Sequence, residues 1–416
     1  MENKLSTNVR SCLYSDVQEI LVVLQRNSEW ATTISFMRTK HPINYDPWGF
    51  FCPKYKNLYI ILPNIDDVRM SVSGYAYSYA RVMSRMSDIL SEGRLKDLMA
   101  VGTKDDFLSS LIETAYKEKL TKASSTDMRN IELALKEELI DQYLMVLRST
   151  RGKVRAFFEE LFRRFEVENL KAVIIAKATG VLTEKPLFFP VEDFFGRKMS
   201  GLMDAESVKN VIMRSEDPYK RVLEDVLPEY EESEKVLILE NTLYQELYGA
   251  IWARMTRLGT EDREIVRKIV GTELDIINIT TLLRCRAAGI KESELMEYFL
   301  PYTYSFDFNA ANAKASMSAE DASTVVQLLP PSAYKEVLID AIPEYEEEKS
   351  LIPFEQALRK LFFYTIKNTL RGTPINIGTI IGFLYLKELE INNLCTISVC
   401  KENDLSAEET MGIVML

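Results

Sequence analysis

Apolar residues recur at intervals of three and four positions in three separate stretches of the chain, the spacing of residues on one face of an α-helix. The stretches contain Ile131, Leu135, Leu139 and Tyr143; then Leu239, Leu243, Leu247 and Ile251; then Phe354, Leu358, Leu361, Phe362 and Thr365. A stripe of this kind faces a protein core. Each stretch is therefore predicted to form a helix that packs against other helices.

The second and third stripes belong to a repeated sequence. YKRVLEDVLPEYEE, which begins at Tyr219, matches YKEVLIDAIPEYEE, which begins at Tyr334, at an offset of 115 residues. Between 217–248 and 332–363 there are 12 identities in 32 positions, whereas unrelated sequences of average composition share roughly two. An internal repeat of this length predicts two units with the same structure.

A third copy lies upstream, and an asparagine marks the same position in each copy. NLKAVIIAK begins at Asn169, NITTLLRCR at Asn278 and NLCTISVCK at Asn393. The chain is therefore predicted to contain three helical repeat modules of about 110 residues. The predicted modules are residues 71–190, 191–300 and 301–416.

Aromatic connectors join the predicted modules. PLFFPVEDFF (186–195) and YFLPYTYSFDF (298–308) contain Pro190 and Pro301, each after bulky apolar residues. A proline disfavours helix at the residue before it, so both connectors are predicted to interrupt the helices.

Helix breakers are few. Glycine (16) and proline (14) together make up 30 of 416 residues, which is about 7% against roughly 12% in average proteins. This composition favours an all-α fold. Pro228 and Pro343 are each predicted to lie at the first position of a helix, with the glutamates that follow in its first turn, where the helix dipole favours negative charge.

The first 70 residues contain no copy of the repeat. NLYIILP (57–63) is apolar and β-branched enough to predict a strand. Residues 1–70 are therefore predicted to be a small N-terminal extension, for which a mixed α/β structure is one expectation.

Charge and cysteine content narrow the classes of function. The formal net charge is −11 and the isoelectric point is about 5.1, which argues against a general nucleic-acid binder because such proteins carry a basic face. The five cysteines form no CxxC pair, the chain has one histidine, and no signal-peptide pattern is visible. Free thiols in the cytosol are expected, without a histidine-based zinc site. The longest apolar stretch, 375–386, is too short to span a bilayer and predicts a buried helix.

Several features occur together in one known family. GYAYSYARVMSRMSDILSE (74–92), LIPFEQAL (351–358) and INIGTIIGFLYLKELEINNL (375–394) accompany the three asparagine blocks. In this order and spacing they resemble the C subunits of archaeal A-type and bacterial V/A-type ATP synthases, the counterparts of the d subunits of V-type ATPases. The resemblance covers residues 74–416.

The resemblance implies a funnel of three helical modules around a pseudo-three-fold axis. In that family, a single copy of the protein sits on the ring of membrane-embedded proteolipids, at the cytoplasmic face. It receives the end of the central stalk, formed by the D and F subunits, and transmits torque between ATP chemistry and ion flow without catalysing either. The resemblance therefore predicts a peripheral, non-catalytic rotor component.

Two sets of equivalent residues are candidate partner contacts. Asn169, Asn278 and Asn393 open the repeated blocks, and Lys177, Arg286 and Lys401 close them. The asparagines are expected to satisfy neighbouring polar groups in the core, the alternative being a ring of amides that lines the socket. The cations are expected either to stabilise helix C-termini or to face an acidic partner. In the second case, Lys401→Glu would leave folding intact and weaken partner binding.

No catalytic, cofactor-binding or metal-binding residue is predicted. The chain lacks a GxxxxGK[ST] phosphate loop, and the adjacent acids Asp66–Asp67 and Asp105–Asp106 have no partner motif. Two alternatives to the rotor component remain: a general helical-repeat scaffold unrelated to ion transport, and a carboxylate-dependent metal enzyme. Tight binding of Mg²⁺ or Mn²⁺ would favour the enzyme.

Overall fold

The computed structural model describes residues 65–123, 127–180, 186–197, 199–290, 292–306, 316–319, 321–371 and 375–414. Ser71–Leu416 form one compact unit. All regular secondary structure in the described ranges is helical, which confirms the all-α prediction. The strand predicted for 57–63 lies outside the described residues.

The first part of the chain forms seven helices that the structure describes. They are α1 (Ile65–Met86), α2 (Glu92–Ala100), α3 (Lys104–Ile112), α4 (Lys117–Ala123), α5 (Met128–Ser149), α6 (Gly152–Phe162) and α7 (Arg164–Thr179). The stripe of α5 is buried, with Leu135, Leu139 and Tyr143 fully covered. The helix predicted from that stripe is therefore present and faces the core.

The middle of the chain contains two long helices among shorter ones. The described helices are α8 (Glu192–Phe195), α9 (Ser200–Met203), α10 (Val208–Arg214), α11 (Tyr219–Ser233), α12 (Val236–Met255), α13 (Thr260–Ala287) and α14 (Glu292–Leu295). The helix α12 packs on α6 and α7. Burial of Leu239, Leu243 and Ile251 shows that this stripe also faces the core.

The last part of the chain, like the middle part, contains two long helices among shorter ones. Its described helices are α15 (Ala322–Leu328), α16 (Ala333–Asp340), α17 (Ile342–Glu348), α18 (Ile352–Leu370), α19 (Ile377–Glu402) and α20 (Ala407–Ile413). The apolar stretch at the start of α19 is buried on all sides, with Ile380, Phe383 and Leu384 fully covered. This confirms the predicted buried helix. None of the helices in the described residues is long and apolar enough to cross a membrane.

The two equivalent prolines lie in different positions. Pro343 is the second residue of α17, one place after the predicted first position, because the helix is interrupted between α16 and α17 at Ala341. The prediction for Pro228 is wrong, since this proline lies inside α11, which runs on without a break. A helix can continue through a proline when packing outweighs the lost backbone hydrogen bond, and Leu223 and Leu227 on α11 are buried.

The helices α7, α13 and α19 carry the three asparagine blocks and end in the same way. Each is followed by a residue in the left-handed backbone conformation, eleven positions after its asparagine. These residues are Gly180 (φ 65°), Gly289 (φ 72°) and Asp404 (φ 56°). Glycine adopts this conformation without strain, and aspartate tolerates it better than most residues. The repeat therefore extends to local backbone geometry, while the three-fold arrangement of whole modules stays a prediction.

Candidate partner-binding site

Two of the equivalent asparagines hold the connectors in place. Asn169 Nδ2 donates to the carbonyl of Phe189 at 2.8 Å, and the Phe189 N–H donates back to Asn169 Oδ1 at 2.8 Å. Asn278 makes the same pair of bonds with Leu300, at 3.0 and 2.8 Å. Phe189 and Leu300 directly precede Pro190 and Pro301. The core role expected for the asparagines therefore accounts for Asn169 and Asn278.

The third asparagine, Asn393, is 6% exposed and lies on α19. All three asparagines are buried, so their side chains serve the interior of the protein. Contact of any of them with a partner stays a prediction.

The equivalent cations differ in burial. Lys401 is 6% exposed, and its Nζ donates to the carbonyls of Met99 and Val101 at 2.7 and 2.6 Å, at the end of α2. Arg286 is half-buried and donates to the carbonyls of Ala319 and Ile290 at 2.6 and 2.7 Å. Both cations therefore donate to backbone carbonyls of this chain.

Lys177 is half-buried on α7. Partner contact by Lys177, Arg286 and Lys401 stays a prediction. The expectation that Lys401→Glu leaves folding intact does not agree with the structure. A glutamate at this position would place a buried negative charge against two carbonyl oxygens, which is unfavourable.

A buried acid precedes each asparagine by three residues, and sequence reasoning missed this set. Glu166, Asp275 and Glu390 are 0%, 0% and 3% exposed. They follow the asparagine offsets of 109 and 115 residues. Repetition of an acid at one position of the repeat is the signal that could have found them.

A tyrosine from another part of the chain lies against each buried acid. Tyr219 Oη donates to Glu166 at 3.0 Å, and Tyr334 Oη donates to Asp275 at 2.8 Å. Near Glu390, Lys387 Nζ lies 2.8 Å from both the acid and the hydroxyl of Tyr116. The tyrosines belong to α11, to α16 and to the segment before α4, so each acid links its long helix to a distant segment.

Backbone amides complete the site around Asp275. The N–H groups of Tyr304, Ser305 and Phe306 donate to its two carboxylate oxygens at 2.8 to 3.2 Å. Burial raises the pKa of Asp275, and these hydrogen bonds oppose that effect. Burial likewise raises the pKa of Tyr334, with the Asp275 charge adding to it. The acid therefore anchors the second connector to α13.

A second set of equivalent residues lies two positions before the buried acids, and its members meet at one place. Arg164 on α7, Glu273 on α13 and Glu388 on α19 are again separated by 109 and 115 residues. Arg164 donates to Glu273 at 3.0 Å and to Glu388 at 3.3 Å. We call these three residues the central cluster. Three helices from distant parts of the sequence therefore touch through equivalent positions.

Two tyrosines form hydrogen bonds with the residues of the central cluster. Tyr385 Oη donates to Glu273 at 2.6 Å and accepts from Arg164 at 3.0 Å, while Tyr143 Oη donates to Glu388 at 3.4 Å. Burial raises the pKa of Glu388, and Arg164 opposes this shift. The hydrogen bonds that Glu388 makes with the described residues are long, at 3.3 and 3.4 Å, and its side chain keeps 25% of its exposure.

A cavity of about 310 Å³ lies at the central cluster. Its lining includes Arg164, Glu168, Tyr244, Glu273, Glu388 and Asn392. Glu168 and Asn392 are themselves equivalent positions of the first and third copies, and Ile277, also in the lining, is that of the second. The central cavity is therefore lined by matched positions of α7, α13 and α19.

Glu168 lies beside a cation in the central cavity. Lys171 Nζ is 3.4 Å from Glu168 and 3.6 Å from Glu240. Tyr244 Oη donates to Glu168 at 2.8 Å. The wall of the cavity therefore carries a hydrogen-bonded acid that is still 42% exposed at its side chain.

Potential metal ligands are scattered in the described part of the chain. Among those residues, no group of three or more histidine, cysteine, aspartate or glutamate side chains is placed to hold a metal ion. Cys285 and Cys400 are buried and Cys395 is half-buried. Burial raises the pKa of the Cys395 thiol to about 12, which keeps it protonated and unreactive at neutral pH.

These observations define an all-α protein in which three long helices, marked by equivalent buried acids and asparagines, converge on a charged cavity. Residues 78–413 match the family of ATP synthase (C/AC39) subunits, so the chain belongs to that family. The resemblance seen in the sequence is confirmed.

Individual relatives are similar over most of their length. The A-type ATP synthase C subunit of Methanothermobacter thermautotrophicus is 30% identical over 330 residues, covering 79% of this chain and 84% of the relative. The A-type ATP synthase C subunit of Methanosphaera stadtmanae is 28% identical, covering 79% of this chain and 84% of the relative. That of Methanocaldococcus jannaschii is 27% identical, covering 84% of this chain and 88% of the relative.

Proposed function

We propose that this protein is a non-catalytic coupling component of a rotary A-type or V/A-type ATP synthase. Family membership supports its place in such a complex. The single observation that carries the role is the convergence of α7, α13 and α19 on the central cavity through matched residues. A part that couples rotation needs an axial seat for a shaft.

In this proposal, three helical modules surround the seat and the central stalk enters it. The stalk is the pair of D and F subunits, and the opposite face of the protein rests on the proteolipid ring at the cytoplasmic side of the membrane. The protein then transmits torque without binding ATP. Stiffness supports this role, because packed helical cores deform little. Hydrogen bonds such as the one from Tyr334 to Asp275 also join separate segments of the chain.

Co-purification from native membranes tests the proposal. An affinity-tagged chain is expected to recover the D and F subunits and the proteolipid ring, whereas the purified chain alone is expected to hydrolyse no ATP. Recovery of none of these partners by folded protein would contradict the proposal and favour the helical-repeat scaffold.

A further inference from the structure

The central cavity has an excess of negative charge. Its lining has three carboxylates, Glu168, Glu273 and Glu388, against one guanidinium, Arg164, which leaves a formal charge of −2. Lys171 lies 3.4 Å from Glu168 and 3.6 Å from Glu240, and counting it together with Glu240 leaves this balance unchanged. Two carboxylates of the central cluster thus share one cation.

Arg164 is also incompletely paired. It is 7% exposed and lines the cavity, yet its Nε has no acceptor among the described residues. A buried donor without an acceptor is unfavourable, because the group loses its hydrogen bonds to water. The contacts of Glu388 are long, at 3.3 and 3.4 Å. The carboxylates of the cavity therefore outnumber the cations of its lining, and the Arg164 Nε–H group has no acceptor among the described residues.

We propose that the central cavity binds a segment of the entering partner that presents a lysine or arginine side chain to Glu388 and Glu168. This inference rests on the coupling role proposed above and specifies the chemistry of the partner. A polypeptide segment supplies both missing groups, since its basic side chain brings the cation and its backbone carbonyl accepts from Arg164. A metal ion supplies only the charge.

Charge also affects how the partner arrives. A concave site lined by one sign of charge concentrates field lines and attracts the opposite charge, an effect that salt screens. Attraction through Glu168, whose side chain is 42% exposed, begins before contact. Binding of the partner is therefore expected to weaken as ionic strength rises.

The test measures binding of the full chain to the purified D–F pair from the same organism, by calorimetry at several salt concentrations. Glu168→Gln is expected to weaken binding about threefold and Glu388→Gln about tenfold. The double variant is expected to lose most of the salt dependence. The matched control is Glu229→Gln, an exposed acid on α11, which is expected to leave binding unchanged.

The outcomes separate this inference from the proposed function. If the wild-type chain does not bind the D–F pair at any salt concentration, the coupling role itself fails. If it binds and both variants bind equally well, the cation site is wrong while the coupling role stands. Glu168→Gln is expected to keep the fold, because the glutamine can still accept from Tyr244 and Lys171 keeps Glu240, so its result holds even if Glu388→Gln is unstable. A melting temperature raised by Mg²⁺ alone in the wild type and not in the double variant would identify a metal site instead and overturn the inference.

Discussion

The buried acids at equivalent positions of the repeat are compensated by different groups. Arg197 pairs with Glu166 at 2.8 Å, and Lys387 pairs with Glu390 at 2.8 Å. Asp275 is held by backbone amides and two hydroxyls, and no cation among the described residues pairs with it. A buried carboxylate needs compensation, but its source is free to vary. The position of the acid is therefore repeated while its partners are not.

Substituting phenylalanine for tyrosine measures how much each hydrogen bond from a tyrosine to a buried acid contributes to stability. Tyr334→Phe is expected to lower the free energy of unfolding by about 1.5–3 kcal/mol, because the hydroxyl donates to the charged Asp275. Tyr219→Phe, which loses the bond to Glu166, is expected to cost a similar amount. Urea denaturation provides the measurement. Tyr364→Phe, at a side chain that is 61% exposed, is the control and is expected to change stability by less than about 0.5 kcal/mol.

The raised pKa of Glu388 predicts a pH dependence. The folded protein holds this proton more tightly than the unfolded chain does, so ionisation of Glu388 lowers stability as pH rises from the unfolded pKa through the folded pKa. Glu388→Gln removes that effect. The variant is therefore expected to gain stability relative to the wild type as pH rises from about 4 to about 8, measured by denaturation midpoints. If the difference in stability between variant and wild type stayed constant or shrank as pH rose, this would contradict the effect of burial on the pKa of Glu388.

At the scale of elements, the second connector lies directly on α13. An added Cβ at Gly271 would lie 2.7 Å from Tyr304 Cβ and 3.1 Å from Tyr304 Cα. The amides of Tyr304 and its neighbours are held by Asp275, one turn further along the same helix. Glycine at 271 is thus required for the close approach between helix and connector.

Gly271→Ala is expected to destabilise the protein by about 1–2 kcal/mol, although alanine favours helix by about 1 kcal/mol. The contact is with backbone that Asp275 anchors, so it cannot relax easily. Gly74→Ala in α1 is the matched control, since a Cβ there meets nothing within 4 Å. The control is expected to be neutral or more stable in thermal melts, and equal melting temperatures for the two variants would refute the steric argument.

At the scale of the whole molecule, the last long helix closes onto the first segments. Glu390 on α19 accepts from the Leu90 N–H at 2.6 Å, and Lys401 binds carbonyls at the end of α2. The same helix packs along α5. Residues 300 positions apart are therefore joined in one core, and the stability of the start of Ser71–Leu416 depends on its end.

Lys387→Met tests this dependence. The substitution leaves Glu390 buried without its cation, at a pair in which both side chains are 3% exposed, and is expected to cost about 3–5 kcal/mol. Amide hydrogen exchange is expected to speed up in 92–123, far earlier in the chain. The double variant Lys387→Met/Glu390→Gln is expected to recover part of the loss. Faster exchange confined to α19 would show that the two ends are not coupled.

Much of the helical framework follows from sequence alone. The stripes around Leu135, Leu243 and Leu358 predict buried helix faces, and the asparagine offsets predict equivalent helices, to which the structure gives the same local ends. Periodicity identifies which face of a helix avoids water, a property of neighbouring residues. This is why the all-α class and the buried start of α19 are predictable.

Only the tertiary structure decided which polar groups meet. Arg164 reaches Glu388 across 224 positions, and Lys401 binds carbonyls 300 or more positions earlier, whereas its sequence context fits a partner-facing charge equally well. Local pattern contains no information on such pairings, because they depend on how whole helices dock. The sequence by itself determined the helices and their repetition. The charged cavity forms only when α7, α13 and α19 dock against one another. Docking brings the charges to contact distance in a site shielded from water, where a pair of charges interacts strongly.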